Sequence, residues 1–401
     1  MQATNKPMPH LLTMNAGSSS IKIALFVLDN ESVKKLSEAA IENIGQSSAS
    51  LAADDKIKQI STQDHAAATH ILMQWLAEKV STNTITAVGH RIVHGGPKYY
   101  QAQLATDEVL ESLRGLAAFD PEHLPVELEL VETVQQVLPQ AQHILCFDTA
   151  FHHNLPAQAR LLPIPRKLSE KGIRRYGFHG LSYAYILDEL RRVEGDAAAN
   201  GKVIIAHLGS GASLDALHNG KSIDTTMSMT PASGIPMSTR SGDLDPGLAL
   251  YIAKTEGYEA ERFNHMVNFE SGLLGISETT ADMKRLLEAE YEDTRAKDAI
   301  DVFCYNTKKQ IGALTAALGG LNTLVFTGGM GENAPKIRKR VCEGLDFLGI
   351  NLDAARNEEG ARLISADDSR IGVHVIHTDE AVTIARETAD LINHKNEVQQ
   401  L

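Results

Sequence analysis

The sequence predicts an α/β fold built twice, as two domains. Three observations carry that prediction. Residues 11–28 read as an apolar strand, a turn of small polar residues and an alternating strand. Residues 203–217 repeat that pattern about half a chain later. Residues 323–333 run from a buried strand into a glycine turn and then towards a helix.

In the first hairpin, the run opening at Leu11 and Leu12 breaks at Asn15-Ala16-Gly17-Ser18-Ser19-Ser20. Alternation resumes through Ile21, Ile23 and Leu25, with Lys22 on the opposite face. Gly17 lets the backbone approach a ligand closely, and successive N–H groups make an anion nest. Lys22 adds a cation just beyond the turn. Such a turn suits phosphate, although it lacks the Gly-Lys-Ser/Thr order and the following helix of a Walker A loop. Taken alone, it reads as well as an ordinary Ser/Gly turn.

The second copy shifts the balance. At a fixed offset Asn15 falls on His207, Gly17 on Gly209, Ser18 on Ser210 and Leu25 on Leu217. Two phosphate-type turns in a duplicated chain point to a nucleotide held in a cleft between the halves. The expected domains are 1–198 and 199–379, divided at the EGDAAANG stretch, with a segment near 380–401 packing back onto the first.

Composition agrees with two or three domains: 401 residues exceed what one core supports, and 43% are hydrophobic. A net charge of −13 argues against nucleic acid or an anionic membrane as the main partner. Cys146, Cys304 and Cys342 show neither metal spacing nor a disulfide framework, which fits a reducing cytosol. Residues 1–10 lack a signal-peptide pattern, and no apolar run approaches the ~20 residues of a membrane helix. A cytoplasmic protein is expected.

Along the chain, a strand with a small-residue turn is expected at 36–46, and helices at 66–80, 107–117, 125–138 and 181–193. Gly89-His90-Arg91-Ile92-Val93-His94-Gly95-Gly96 reads as a strand entering a glycine loop, a favoured place for function. Arg91 could equally make a surface ion pair, but its apolar and glycine neighbours argue otherwise. Asp148 follows the buried strand 143–147, where a carboxylate faces the ligand crevice of an α/β sheet. His152 and His153 are adjacent, make a poor metal pair and read as surface histidines. His179, bracketed by Gly177 and Gly180 after Arg174 and Arg175, is either a capping or core histidine or a functional one.

The stretch 224–246 is a long loop of the functional kind, ending where Asp245-Pro246 begins a helix. Helices at about 259–267, 279–291 and 296–318 form an α-rich insertion. Lys336, Arg338, Lys339 and Arg340 read as a solvated helix face. Asp379 and Glu380 sit in the first turn of a helix, where they either complement its dipole or bind Mg²⁺.

In this order, these segments resemble the acetokinase family of acetate and propionate kinases. The matching residues run from Asn15 to Arg386 and include Asn15–Ser20 with Lys22, Gly89–Gly96, Phe147-Asp148-Thr149-Ala150-Phe151-His152, Tyr176–Gly180, Thr239-Arg240-Ser241-Gly242-Asp243, Gly331-Glu332-Asn333 and Thr378-Asp379-Glu380. The resemblance implies a duplicated ribonuclease H-like fold of the actin, sugar-kinase and heat-shock ATPase superfamily. It implies a homodimer, and transfer of phosphate from ATP to a short carboxylate with Mg²⁺, for which Mn²⁺ can substitute.

It also implies roles. Arg91 and Arg240 hold the carboxylate and the phosphoryl oxygens, because guanidinium makes bidentate anion contacts. His179 donates to a phosphoryl oxygen as charge develops. Asp148 is an essential carboxylate of the site. Val93, His123, Phe178 and Pro231 lie on the substrate side. Asn15 and Glu380 hold Mg²⁺. Lys22, Ser18, Ser20, His207, Leu208, Gly209, Ser210, Gly211, Asp282, Met283, Lys284, Gly328, Gly329, Met330, Gly331, Glu332 and Asn333 belong to nucleotide-binding segments.

A carboxylic acid has a pKa near ~4–5 and is ionised at neutral pH, so no general base is needed towards acyl phosphate. Asp148 is therefore expected to orient Arg91 or metal-bound water. The chain departs from the family pattern at Ser210, Ser238, Lys284, Leu124 and Ala381, which leaves nucleotide preference and acyl size open. A small apolar pocket separates one methylene by only ~1–3 kcal/mol; acetate is the expected substrate and propionate the alternative. A carbohydrate kinase would need sugar-binding polar groups in place of the two arginines. An actin-like filament or chaperone ATPase would turn over without carboxylate.

Overall fold

The structure, a computed structural model, describes residues 9–17, 19–29, 32–54 and 56–399. Packing divides the chain into two units, Met1–Ala150 with Asp379–Leu401, and Phe151–Thr378.

The first unit is built on a sheet of β1 (His10–Ala16), β2 (Ser20–Asp29), β3 (Ser32–Glu42), β4 (Ser50–Ala53), β5 (Lys56–Gln59), β6 (Ile85–Ile92), β7 (Gln103–Leu104) and β8 (Gln142–Phe147). The order is β5-β4-β3-β2-β1-β6-β8-β7. β1 to β5 form an antiparallel meander, while β6 runs parallel to both β1 and β8. The expected strand at 36–46 is the second half of β3, and β4 and β5 extend the sheet beyond what the sequence pattern indicated. Both are short, and every residue of β5 is exposed, so neither carries a strong alternation signal.

One face of this sheet is covered by helices His65–Lys79 and Leu124–Val137 around Leu12, Met14, Ile23, Leu72, Leu76, Val88 and Val134. Asp64 caps the first of them by accepting the Ala67 N–H at 2.8 Å. Side chains alternate across a sheet, so Gly89 looks out on the face opposite to Val88. There the helix Glu380–Gln399 lies so close that a Cβ on Gly89 would stand 2.3 Å from Thr388 Oγ1 and 2.6 Å from Ile384 Cγ2.

The second unit has a sheet of β9 (Lys202–Leu208), β10 (Ala212–His218), β11 (Lys221–Thr225), β12 (Thr323–Thr327) and β13 (Gly372–Val375), in the order β11-β10-β9-β12-β13. β9, β10 and β11 are antiparallel, and β12 runs parallel to β9 and β13. Helix Gly180–Glu194 packs Tyr183, Ile186 and Leu190 on Val203, Ile205 and Val325. The long helix Thr294–Leu318 packs on β9, β10 and β11.

Strands β3-β2-β1-β6-β8 thus repeat as β11-β10-β9-β12-β13, with the same mix of antiparallel and parallel neighbours. This is a duplicated ribonuclease H-like fold.

The unit boundary falls at Ala150/Phe151, whereas the EGDAAANG stretch pointed to 198. Helix Gly180–Glu194 follows the first sheet in sequence, but its apolar side fits the second. That expected linker is itself mostly a short helix, Asp196–Asn200.

Three further expectations are corrected. Residues Gly328–Asn333 are not a glycine turn ahead of a helix; they form a helical turn directly after β12, followed by the helix Pro335–Cys342. His152 is buried, not on the surface: the 3-10 turn Ala150–His152 points it inward, where its Nδ1 lies 3.0 Å from Ser222 Oγ and its Nε2 3.0 Å from the Phe178 carbonyl. Arg338 is fully buried rather than on a solvated face, and donates to the carbonyls of Gly331, Glu332 and Asn357. The three cysteines are free and buried, and no helix among the described residues is long and apolar enough to cross a membrane.

Candidate active site

In the first unit the strand ends bring Asn15, Arg91, Asp148 and Glu380 into one cluster. Arg91, near the end of β6, donates from Nε and Nη2 to Asp148 Oδ2 at 3.0 and 2.5 Å, and from Nη1 to the Ala16 carbonyl at 3.1 Å. The Asp148 side chain is 1% exposed and that of Arg91 14% exposed, so solvent screens this pair little. Burial opposes the Arg91 charge, but the Asp148, Glu127 and Glu380 carboxylates outweigh it and hold the guanidinium more firmly protonated than usual.

Asn15, near the end of β1, donates from Nδ2 to Glu380 Oε2 at 2.7 Å across 365 positions of sequence. Lys22 stands opposite Asn15 in the β1–β2 ladder and is exposed. The turn is closed by Gly17 N–H donating to the Ser20 carbonyl at 2.8 Å, while Ser18 lies outside the described residues. Val93 is buried just past β6. His123 donates from Nδ1 to Asp120 Oδ1 at 2.9 Å, which binds it to the start of its helix.

Sequence reasoning missed Glu127. Its Oε2 accepts the Val93 N–H at 2.8 Å and its Oε1 lies 3.7 Å from Arg91 Nη1. The signal was available: Leu124, Glu127, Leu128, Val131 and Val134 fall on one helical stripe, and a glutamate on an apolar stripe is a buried glutamate.

In the second unit, His179 occupies the left-handed region at φ 60° at the head of helix Gly180–Glu194. Its Nδ1 lies 2.8 Å from Ser213 Oγ, which in turn is 2.5 Å from the Tyr183 hydroxyl. The ring stacks on His207 with centroids 4.3 Å apart, and His207 Nδ1 is held by Ser182 Oγ at 2.9 Å. Arg240 donates from Nη1 to the carbonyl of buried Pro231 at 3.2 Å. A Cβ on Gly211 would stand 3.2 Å from His179 Nε2 and 3.4 Å from Arg240 Nη1, so both groups come close over this turn. Gly209 N–H closes the turn on the Gly211 carbonyl at 3.0 Å, with Ser210 exposed at its tip. Phe178 is buried, and Gly177 before it has φ 77°.

Gly328 and Gly331 lie against Leu208: a Cβ on Gly328 would stand 2.9 Å from the Leu208 backbone, and one on Gly331 3.7 Å from Leu208 Cβ. Two expected nucleotide segments are therefore one surface. Glu332 ties it down by accepting from Gly328 N–H at 2.9 Å and Thr378 N–H at 3.0 Å, while Gly329 and Asn333 are exposed and Met330 half-buried. Asp282 caps its helix through the Lys284 N–H at 2.9 Å; Met283 is buried and Lys284 exposed.

The donor set at Asn15 and Glu380 is one amide and one carboxylate. This is the hard oxygen chemistry Mg²⁺ takes, since that ion keeps several waters and needs only one or two carboxylates besides substrate phosphates.

The model of the Acetokinase family matches residues 10–386. An acetate kinase of Rhodopseudomonas palustris (strain TIE-1) is 42% identical over 388 residues, covering 94% of this chain and 96% of that protein. One from Clostridium botulinum (strain Alaska E43 / Type E3) is 39% identical, covering 95% and 100%. Among solved structures, a propionate kinase from Francisella tularensis superposes with a TM-score of 0.88 at 34% identity, covering 96% of this chain and 100% of that one. Porphyromonas gingivalis acetate kinase gives 0.84 at 34% identity, with the same coverage. The chain belongs to the acetokinase family.

Proposed function

We propose that this chain is an acetate kinase, moving the γ-phosphoryl group of ATP to acetate, reversibly, by direct in-line transfer with Mg²⁺. The observation that carries the reading is Arg91: a buried guanidinium held edge-on by Asp148, two residues from buried Val93. It is a fixed anion clamp beside an apolar wall, which fits a short carboxylate and not a sugar. The acetate kinases related at about 40% identity over most of the chain support it.

The bond formed joins a carboxylate oxygen to the γ-phosphorus, and the bond broken joins that phosphorus to the bridging oxygen of ADP. No proton is removed from the acid, because acetate is ionised at neutral pH. Asp148, spent on two hydrogen bonds from Arg91, orients the clamp. Val93, His123, Phe178 and Pro231 are assigned to the acyl group on the family resemblance. His179 and Arg240 donate to the phosphoryl oxygens as charge spreads over them, and Ser213 sets the His179 ring. The 207–211 turn and the 328–333 turn hold ATP, with Lys22, Ser18, Ser20 and 282–284 contributing. Asn15 and Glu380 would hold Mg²⁺, which when bound neutralises charge on the β- and γ-phosphates. We further propose a homodimer working in the cytoplasm, which light scattering and cell fractionation would check.

The test is hydroxylamine trapping of acyl phosphate with ATP and Mg²⁺ across formate, acetate, propionate and butyrate. Acetate is expected to give the highest kcat/KM. A preference for propionate would favour the second reading, supported by the Francisella tularensis propionate kinase. No product from any acid would overturn the kinase reading.

A further inference from the structure

Arg91 is shared by two carboxylates, and only one of them is used in the mechanism above. Asp148 takes its Nε and Nη2 edge. Glu127 faces Nη1 at 3.7 Å through Oε1, an oxygen that accepts no hydrogen bond among the described residues. The Glu127 side chain is 3% exposed, and its other oxygen is fixed on the Val93 N–H. Glu127 therefore touches both the anion clamp and the backbone of the pocket wall, and it cannot swing away to solvent.

A substrate carboxylate must use guanidinium hydrogens that Asp148 and the Ala16 carbonyl do not occupy, which leaves one on Nη2 and one on Nη1, the nitrogen Glu127 faces. We infer that Glu127 is a proton-dependent positioning residue: protonated, it leaves Arg91 to the substrate carboxylate; ionised, it competes with the substrate for that arginine. This rests on the carboxylate-kinase reading.

The surroundings set which form prevails. Arg91 on β6 and the Val93 N–H favour the charged form. Burial opposes it most strongly, and Asp120 at the head of the helix and Asp148 after β8 add like charge. His123 is bound to Asp120, and Glu380 acts on Arg91. The balance pushes the Glu127 carboxyl up to about 8. A second anion arriving at Arg91 raises it further, so carboxylate binding and the Glu127 proton support each other.

The experiment is the pH dependence of kcat/KM, which reports groups of the free enzyme. Measured with acetate varied at saturating ATP and Mg²⁺, it is expected to fall roughly tenfold from pH 7 to pH 9 in the unmodified chain. With ATP varied at saturating acetate, that limb is expected to be absent. Glu127→Gln keeps an oxygen for the Val93 N–H but cannot ionise, so its pH 7 to pH 9 ratio for acetate drops from about ten to about one. An unchanged ratio in the variant, or an equal limb with ATP varied, would overturn the inference. If the variant does not fold, the acetate-against-ATP comparison in the unmodified chain decides alone. A chain that makes no acyl phosphate at any pH would overturn the kinase reading, and this inference with it.

Discussion

The two sheets share one strand order but carry different chemistry at equivalent strand ends. Where β1 ends in Asn15 against Glu380, β9 carries His207 under the His179 ring. The first unit gathers charge: Arg91 between Asp148 and Glu127, with Glu380 near. The second gathers Arg240 and two hydroxyl-held histidines, with Ser182 on His207 and Ser213 on His179 over a glycine turn. Duplication supplies the framework and the backbone turn; side chains at matching places then take up opposite tasks. Charge-based positioning is strong where water is excluded but depends on pH.

The sharpest way to break the comparison is to remove each unit's arginine. Arg91→Ala and Arg240→Ala are each expected to lower kcat/KM for acetate about 10³-fold, the scale for losing one preorganised donor to the transferring group. A variant retaining most of its activity in the trapping assay would remove that unit's arginine from the mechanism.

Next is Asp148→Asn. Single-turnover kinetics should show kcat down about 10²-fold from a misplaced clamp, equally at every pH tested. Because Arg91 stays buried with its main counter-charge gone, the variant should also lose about 3 kcal/mol in urea unfolding. Retention of most of the transfer rate would exclude a base at this position and would also make the clamp's orientation dispensable.

Ser213→Ala probes the second unit. It removes one hydrogen bond behind His179, which costs about 1 kcal/mol and so lowers kcat less than tenfold.

The smallest effect is on stability. Glu127 is raised to about 8 and Glu387 to about 7, in both cases mainly by burial, so each holds a proton in the folded chain that it has lost in the unfolded one at neutral pH. Stability is therefore greatest below about pH 4.5 for these two groups and is lost as pH rises through about 7 and 8. Asp215 and Asp224 of the second unit are also raised by burial and push the same way. Urea midpoints at pH 6 and pH 9 should differ, and Glu127→Gln should narrow the gap.

The framework was legible because alternation and turn residues are local signals. The doubled hairpin, the long loop before Gly247 and the helix at 380 all follow from neighbouring residues. Asp245 and Pro246 were readable as a helix start in the same way; the helix begins one residue later than expected, at Gly247 with Pro246 in the cap position, and Asp245 Oδ1 accepts the Gly247 N–H at 2.6 Å. What escaped was buried polarity. His152 and Arg338 look like surface residues in a one-dimensional pattern, and each is buried because a distant partner satisfies it: Ser222 and Asn357. The placement of helix Gly180–Glu194 on the second sheet escaped because an apolar stripe does not say which sheet it will cover, whereas the return of the C-terminal helix to the first unit was expected and is seen.

In this mechanism phosphate leaves ATP only towards a carboxylate held by Arg91. Its most direct test counts ADP against trapped acyl phosphate, with and without acetate, in one reaction mixture. One acyl phosphate for each ADP, with ADP formation near zero when acetate is omitted, is the expected result. ADP formed at the same rate without acetate would contradict the claim and would mark the chain as an ATPase of the same fold.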